Sequence, residues 1–387
     1  MSGPIIGRTL DGAAARLVVE EGRIAAVEPF EGDAAGFAWL APGLVDLQLN
    51  GYAGIDFNSP PLAASDVVRA TRLLWSQGVT TYLPTVITNS DENIASSLRG
   101  IAAACREDAL AASSIAGIHL EGPFLSPVDG ARGAHSAAYT RAPDWDAFRR
   151  WQDAAEGRIR ILTLSPEWDG AAAFVAKVAA TGVIVSIGHT TATPEQIREA
   201  VAAGARMSTH LGNGAQLLLP RHPNYIWEQL AADELTACVI PDGFHLPDSV
   251  LKVFLRAKAG RIAFVSDAVY ISGLAPGPYR THIGGDVVLT PEGRLHTAAN
   301  PNILAGSAQM LIAGIARVAA RGLCTLAEAW ALSSAAPAAA LGLEGGVGTL
   351  DVGAPADVVR FREDGGRLAI EEVYKNGERV YVSNGTF

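Results

Sequence analysis

Hydrophobic and polar positions fall into three regimes along the chain. Residues 1 to about 43 hold short apolar runs broken by turn signals, and LVVE (17–20) and RIAAVEP (23–29) flank Glu21-Gly22 at β-hairpin spacing. The last stretch has the same character, with apolar runs at 356–361 and 370–374, a turn at Asn376-Gly377, then a run at 379–382. Both ends therefore read as strands. The simplest arrangement is one small β-domain, 1–43 plus 344–387, built from both termini around a larger insertion. Residues 44–343 instead alternate continuous apolar runs with helical patterns, as a parallel sheet covered by helices requires. Eight runs read as strands: 44–50, 80–87, 116–122, 158–165, 182–188, 207–213, 235–243 and 261–268. Helical patterns occupy 64–77, 91–106, 194–203, 224–233, 248–259, 305–321 and 326–334, and Thr193 with Gln196 and Thr325 with Glu328 have capping-box spacing. The predicted class is α/β, a (β/α)8 TIM-like barrel with a small β-sandwich from both termini; a doubly wound sheet is the alternative.

Composition narrows the function classes. Of 387 residues, 49% are hydrophobic and 18% charged, which excludes global disorder. The net charge of −10 leaves no cation excess for nucleic acid or an anionic membrane. The start, MSGPIIGRTLDG, lacks a basic and apolar leader pattern, and no run reaches membrane-spanning length, so a cytoplasmic protein is expected. Cys105, Cys238 and Cys324 are too dispersed for a disulfide framework or a zinc knuckle.

Polar residues cluster at the ends of the predicted strands, where barrel enzymes do their chemistry. They are Asp46, Gln48 and Asn50 (first), His119 and Glu121 (third), His189 (fifth), His210 (sixth), Asp242 and His245 (seventh) and Asp267 (eighth). Glu121, His189 and His210 are the candidate metal ligands, because a carboxylate and two imidazoles hold zinc and leave a fourth position open. A buried ion pair and hydrogen-bonded core histidines are the alternative. Asp267 is the candidate proton carrier, or else a cap for the next segment. Asp242 is expected to shape the loop carrying His245, and His119 to pack behind Glu121.

The runs PGLVDLQLNG (42–51), HLEGPF (119–124), GAH (133–135), GHT (188–190), THLGN (209–213), DGFH (242–245), SDA (266–268), LAGS (304–307) and GTLDVGAPADVV (348–359) resemble the amidohydrolase superfamily. Within it they resemble the N-acetylglucosamine-6-phosphate deacetylase branch, in order and over nearly the whole chain. The resemblance implies a distorted barrel with a terminal β-sandwich. It also implies a homodimer with one divalent ion per chain, zinc being the expected metal, on Glu121, His189 and His210. Asp267 would be the acid and base, His135 and His245 would contact the sugar, and Gly212, Asn213 and Gly214 would line the phosphosugar pocket. Gln48 and Asn50 stand where relatives with two metals carry His-x-His.

The chain departs from the branch at GNGAQLLLPRHPNYIWEQ (212–229), where an arginine would reach the phosphate. Arg221, with His222 beside it, is the candidate here. The expected activity is hydrolysis of N-acetylglucosamine 6-phosphate to glucosamine 6-phosphate and acetate. A hydrolase of another N-acyl compound lacking phosphate is the alternative, and a non-catalytic sugar-binding barrel the competing class. No GxGxxG loop or GxSxG elbow supports a dehydrogenase or serine hydrolase.

Overall fold

The computed structural model describes residues 4–32, 34–281 and 285–383. Residues 1–3, 33 and 384–387 of the expected terminal domain lie outside the described residues.

Eight parallel strands pair in chain order: Leu44–Leu49, Val79–Ile87, Ile118–Glu121, Ile159–Leu164, Ile184–Ile187, Ala205–Ser208, Thr236–Val239 and Ile262–Phe264. The ring closes beyond the last strand. Leu49 pairs with Ala268, Asp267 N–H donates to Gln48 O at 2.9 Å and Asn50 N–H to Ala268 O at 2.8 Å. Nearer the strands' starts another segment fills the seam: Phe264 N–H donates to Leu332 O at 2.7 Å and Val45 N–H to Ser333 O at 2.9 Å. Buried backbone groups need partners, so this wedge lets a barrel with a three-residue eighth strand stay closed.

Several strands end earlier than the apolar runs suggest. The sixth stops at Ser208 and the eighth at Phe264, so His210 and Asp267 stand on the turns beyond. The helix expected over 305–321 begins at Leu311, because Ser307 pairs with Ala268 and extends the sheet instead. Both expected capping boxes form, at Thr193 and Thr325, but the second helix covers only Leu326–Ala331. Two barrel helices escaped the sequence pattern. Trp145–Ala154 is capped by Asp144, whereas Ala171–Ala179 is nearly all apolar and starts from a left-handed Gly170, which leaves no polar periodicity to read. An antiparallel three-stranded sheet, Gly277–Thr281, Gly285–Leu289 and Leu295–Thr297, was also missed.

The terminal strands form one seven-stranded sheet, in the order Glu378–Val382, Arg367–Lys375, Val358–Asp364, Trp39–Pro42, Ile5–Thr9, Ala14–Glu20, Arg23–Pro29. Its outer hairpins turn at Glu21-Gly22 and Asn376-Gly377, all four residues at positive φ. The turns meet: Ala356 N–H donates to Gly22 O at 2.8 Å and Gly377 N–H to Ala356 O at 2.9 Å. The sheet thus doubles over a core of Ile5, Leu17, Leu40, Val358 and Tyr374.

Trp330 stacks on Phe361 at 4.6 Å and donates to Pro42 O at 2.8 Å, joining this unit to the barrel. Lys375 bonds Asp357 at 2.6 Å, both side chains about 5% exposed, and reaches Thr81 of the second barrel strand at 3.4 Å. Lys375→Met removes one member of a buried pair and strands the other, so unfolding in urea should show a loss of about 3–5 kcal/mol. A loss below about 1 kcal/mol would mean that Asp357 finds other partners.

Candidate metal centre and active site

Three of the seven non-glycine residues described at positive φ are His189 (+48°), His210 (+30°) and Asp267 (+49°). Each follows a barrel strand. Such backbone costs roughly 1–3 kcal/mol per residue and persists only where surroundings enforce it, which points to a site.

Glu121 Oε1 lies 3.1 Å from His210 Nε2 and 3.3 Å from His189 Nε2, and the two nitrogens are 3.0 Å apart. All three residues are buried. The spacings approach the edge of about 3.3 Å expected between ligands about 2.0–2.1 Å from a tetrahedral ion. His189 Nδ1 faces Ala131 O at 2.9 Å; a carbonyl only accepts, so Nδ1 carries the proton and Nε2 offers its lone pair to the cluster. Gly133 and Gly214, both at positive φ, clasp the same ring, where a Cβ would fall 2.9 and 2.6 Å from its atoms. Burial by itself raises Glu121, but the adjoining His189 and His210 imidazoles outweigh it and hold the carboxyl well below its usual range. His210 is raised despite burial because it bonds Glu121. The donor set fits one divalent cation.

Gln48 and Asn50 serve the two carboxylates. Gln48 Nε2 donates to Glu121 Oε1 at 3.1 Å and Asn50 Nδ2 to Asp267 Oδ1 at 2.7 Å. Their own carbonyl oxygens are buried and lack a described partner, leaving two acceptors beside the cluster. Asp267 is held between the first strand and Ser307, with Val269 N–H donating to Ser307 O at 2.9 Å. Burial, then the charge of Glu121, pushes its carboxyl up to about 6.

His119 does not touch the cluster. Its Nδ1 meets Leu47 O at 3.1 Å and Nε2 meets Thr163 Oγ1 at 2.7 Å, beginning a chain through Thr209 to Ser186 with 2.6 Å links. The Leu47 carbonyl fixes every donor: Nδ1–H points at it, so Thr163 donates to Nε2, Thr209 to Thr163 and Ser186 to Thr209. Burial lowers His119 to about 4 and keeps it neutral. This hydroxyl floor went unread in the sequence, because Thr163, Ser186 and Thr209 look like ordinary strand residues.

His135 stands against the cluster, with Nε2 3.3 Å from His189 Nε2 and Nδ1 2.9 Å from Thr88 Oγ1; burial, then His189, lowers it to about 3. Asp242 shapes the His245 loop by accepting from Phe244 N–H and His245 N–H and by bonding His245 Nδ1 at 2.7 Å. Gly212, Asn213 and Gly214 line a small cavity beside His189. A larger cavity of about 410 Å³, beside Asp56, Arg69 and Arg280, is lined by none of the candidate residues. Arg221 and His222 are exposed, on the loop that also exposes Leu217 and Leu218, and bond no described residue.

Residues 39–380 match the Amidohydrolase family. The chain belongs to that family. It is 33% identical over 384 residues to N-acetylglucosamine-6-phosphate deacetylase of Bos taurus, covering 97% of this chain and 90% of that one. The Bacillus subtilis (strain 168) deacetylase of the same name is 30% identical, with 89% and 88% covered. Among solved structures, a mutant of the Mycobacterium smegmatis deacetylase in complex with N-acetyl-D-glucosamine-6-phosphate superposes with a TM-score of 0.83 at 31% identity, covering 95% and 94%. The Thermotoga maritima deacetylase gives 0.84 at 27%, covering 98% and 100%.

In this amidohydrolase Asp46 lies beneath the cluster. Its Oδ1 accepts from Gln48 N–H at 3.3 Å and Ser266 N–H at 3.1 Å, while Oδ2 has no described partner. Burial pushes Asp46 from 3.8 up to about 7. The folded chain keeps this proton where the unfolded chain has lost it, so its contribution to stability falls as pH rises from about 4 to about 7. Asp46→Asn should remove that slope: between pH 5 and 8 its Tm should decline less than the parent's, and parallel declines would refute the shift.

Proposed function

We propose that this amidohydrolase removes the acetyl group from N-acetylglucosamine 6-phosphate, releasing glucosamine 6-phosphate and acetate. The observation that carries the reading is the convergence of Glu121, His189 and His210 beside a raised Asp267. It gains support from deacetylases alike over nearly the full chain. Residues 44–343 are the hydrolase domain, and 1–43 with 344–387 the supporting β-domain.

Glu121, His189 and His210 hold one divalent ion, zinc by the mixed nitrogen and oxygen donors; Gln48 and Asn50, already engaged with carboxylates, hold no second one. When bound, the ion polarises the amide carbonyl and makes water more acidic. Asp267 accepts a proton from the attacking water as its oxygen bonds the acetyl carbon. It then passes that proton to the amide nitrogen as the C–N bond breaks, because an amine anion is too poor a leaving group at neutral pH. A carboxyl near 6 suits both transfers. Asn50 keeps Asp267 aimed, neutral His135 faces the developing oxyanion, and His245, fixed by Asp242, contacts the sugar. The Gly212, Asn213 and Gly214 backbone borders the substrate. Exposed Leu217, Leu218 and Trp227 support a homodimer that covers them, and three free cysteines suit the cytoplasm.

Asp267→Asn keeps the shape and removes the proton acceptor, so kcat should drop at least ~100-fold with the ion retained. Near-parental turnover in the loaded variant would dismiss the role.

Arg221 and His222 are the residues for the phosphate; a charge-assisted contact there requires their loop to meet substrate. The exposure of both favours, as a second reading, a hydrolase of N-acyl compounds without phosphate. Arg221→Ala discriminates: kcat/KM for the phosphorylated sugar should fall strongly and that for N-acetylglucosamine little. An unchanged ratio, or a parent enzyme preferring the plain sugar, selects the second reading.

A further inference from the structure

The half-buried Glu167 sits just beyond the fourth barrel strand and takes no part in the proton transfers above. Its carboxylate gathers four donors. Oε1 accepts from Ser126 Oγ at 2.9 Å, and Oε2 from Ser165 Oγ at 2.7 Å, Thr191 N–H at 2.7 Å and Thr191 Oγ1 at 2.9 Å. Those partners belong to the segments that follow the third, fourth and fifth strands. Two of them adjoin His189 on its C-terminal side: Thr191 lies two residues on, and Ser126 N–H donates to His189 O at 2.9 Å. The segment that starts at Ser126 also brings Ala131 O to His189 Nδ1 and Gly133 against its ring.

We infer that Glu167 is a positioning residue that fastens these three segments together and so holds His189 in its left-handed backbone, with Nε2 presented for metal. The inference rests on the reading of His189 as a ligand. Strain at φ +48° relaxes unless the adjoining backbone is fixed, and on the C-terminal side of His189 Glu167 bonds both Thr191 and Ser126, whose N–H holds His189 O. All four described donors to its carboxylate are atoms of these loops. Removing an outer group that orients a metal ligand weakens metal binding by roughly 10–100-fold.

The test uses the full chain, stripped of metal and titrated with cobalt(II) against a competing chelator, with the visible spectrum of the loaded protein as a second readout. Glu167→Ala should bind cobalt roughly 10–100-fold more weakly and show an altered spectrum. Glu167→Gln keeps an acceptor for Thr191 and Ser165 and an amide that donates to Ser126 Oγ, so it should stay within about threefold of the parent. Thr325→Ala, which removes a distant helix cap, should lower Tm with cobalt affinity unchanged, which separates positioning from general stability. A folded Glu167→Ala with parental affinity and spectrum overturns the inference. Should that variant not fold, Ser126→Ala decides in its place: weaker cobalt binding supports the inference and parental binding overturns it. If the parent binds no cobalt, or His189→Ala binds it as well as the parent, the metal reading itself fails.

Discussion

Burial of the Glu121 carboxylate inside a closed barrel is the constraint on which the rest of the site depends. An isolated buried anion is far too costly to leave unpaired, so every neighbour is arranged around it. Gln48 donates to it and His210 and His189 converge on it, while its negative charge contributes to the raised Asp267 beside it. One group therefore anchors the cation site and adds to the burial that tunes the neighbouring base toward neutrality. Below it the Ser186-Thr209-Thr163-His119 chain satisfies the barrel's polar interior without adding another charge.

The second theme is backbone strain placed where strands end. His189, His210 and Asp267 turn inward because their strands stop two or three residues earlier and they themselves adopt a left-handed conformation. Hydrogen bonds with other elements keep each turn in place: Ser126 N–H donates to His189 O, Leu211 N–H beside His210 to Cys238 O, and Asp267 N–H to Gln48 O. The short strands and the wedge at Leu332-Ser333 belong to the same arrangement, since a ring paired evenly along its length would continue these residues as strand and direct their side chains differently.

Much of this architecture was legible in the residues. Apolar runs and helical periodicity located all eight barrel strands within a few positions, and the Asn376-Gly377 turn marked a hairpin by its chemistry. The candidate ligands stood out because charged and imidazole side chains at the ends of buried strands demand a partner. Legibility stopped where the signal was not periodic. Ala171–Ala179 carries no polar face, and the run 261–268 looks like one strand although only Ile262–Phe264 is laddered.

The sequence by itself determined which residues are apolar enough to form the layers and which polar side chains those layers strand at one end. Both follow from local patterning, because burial preference and turn chemistry act over a few residues. Only the tertiary structure decided how those side chains meet. That Gln48 serves Glu121 across 73 positions, that Asn50 serves Asp267 across 217, and that Ala131 sets the tautomer of His189 are matters of distance between remote segments. Contacts of that kind depend on barrel closure and strand register, and no pattern along the chain encodes them separately.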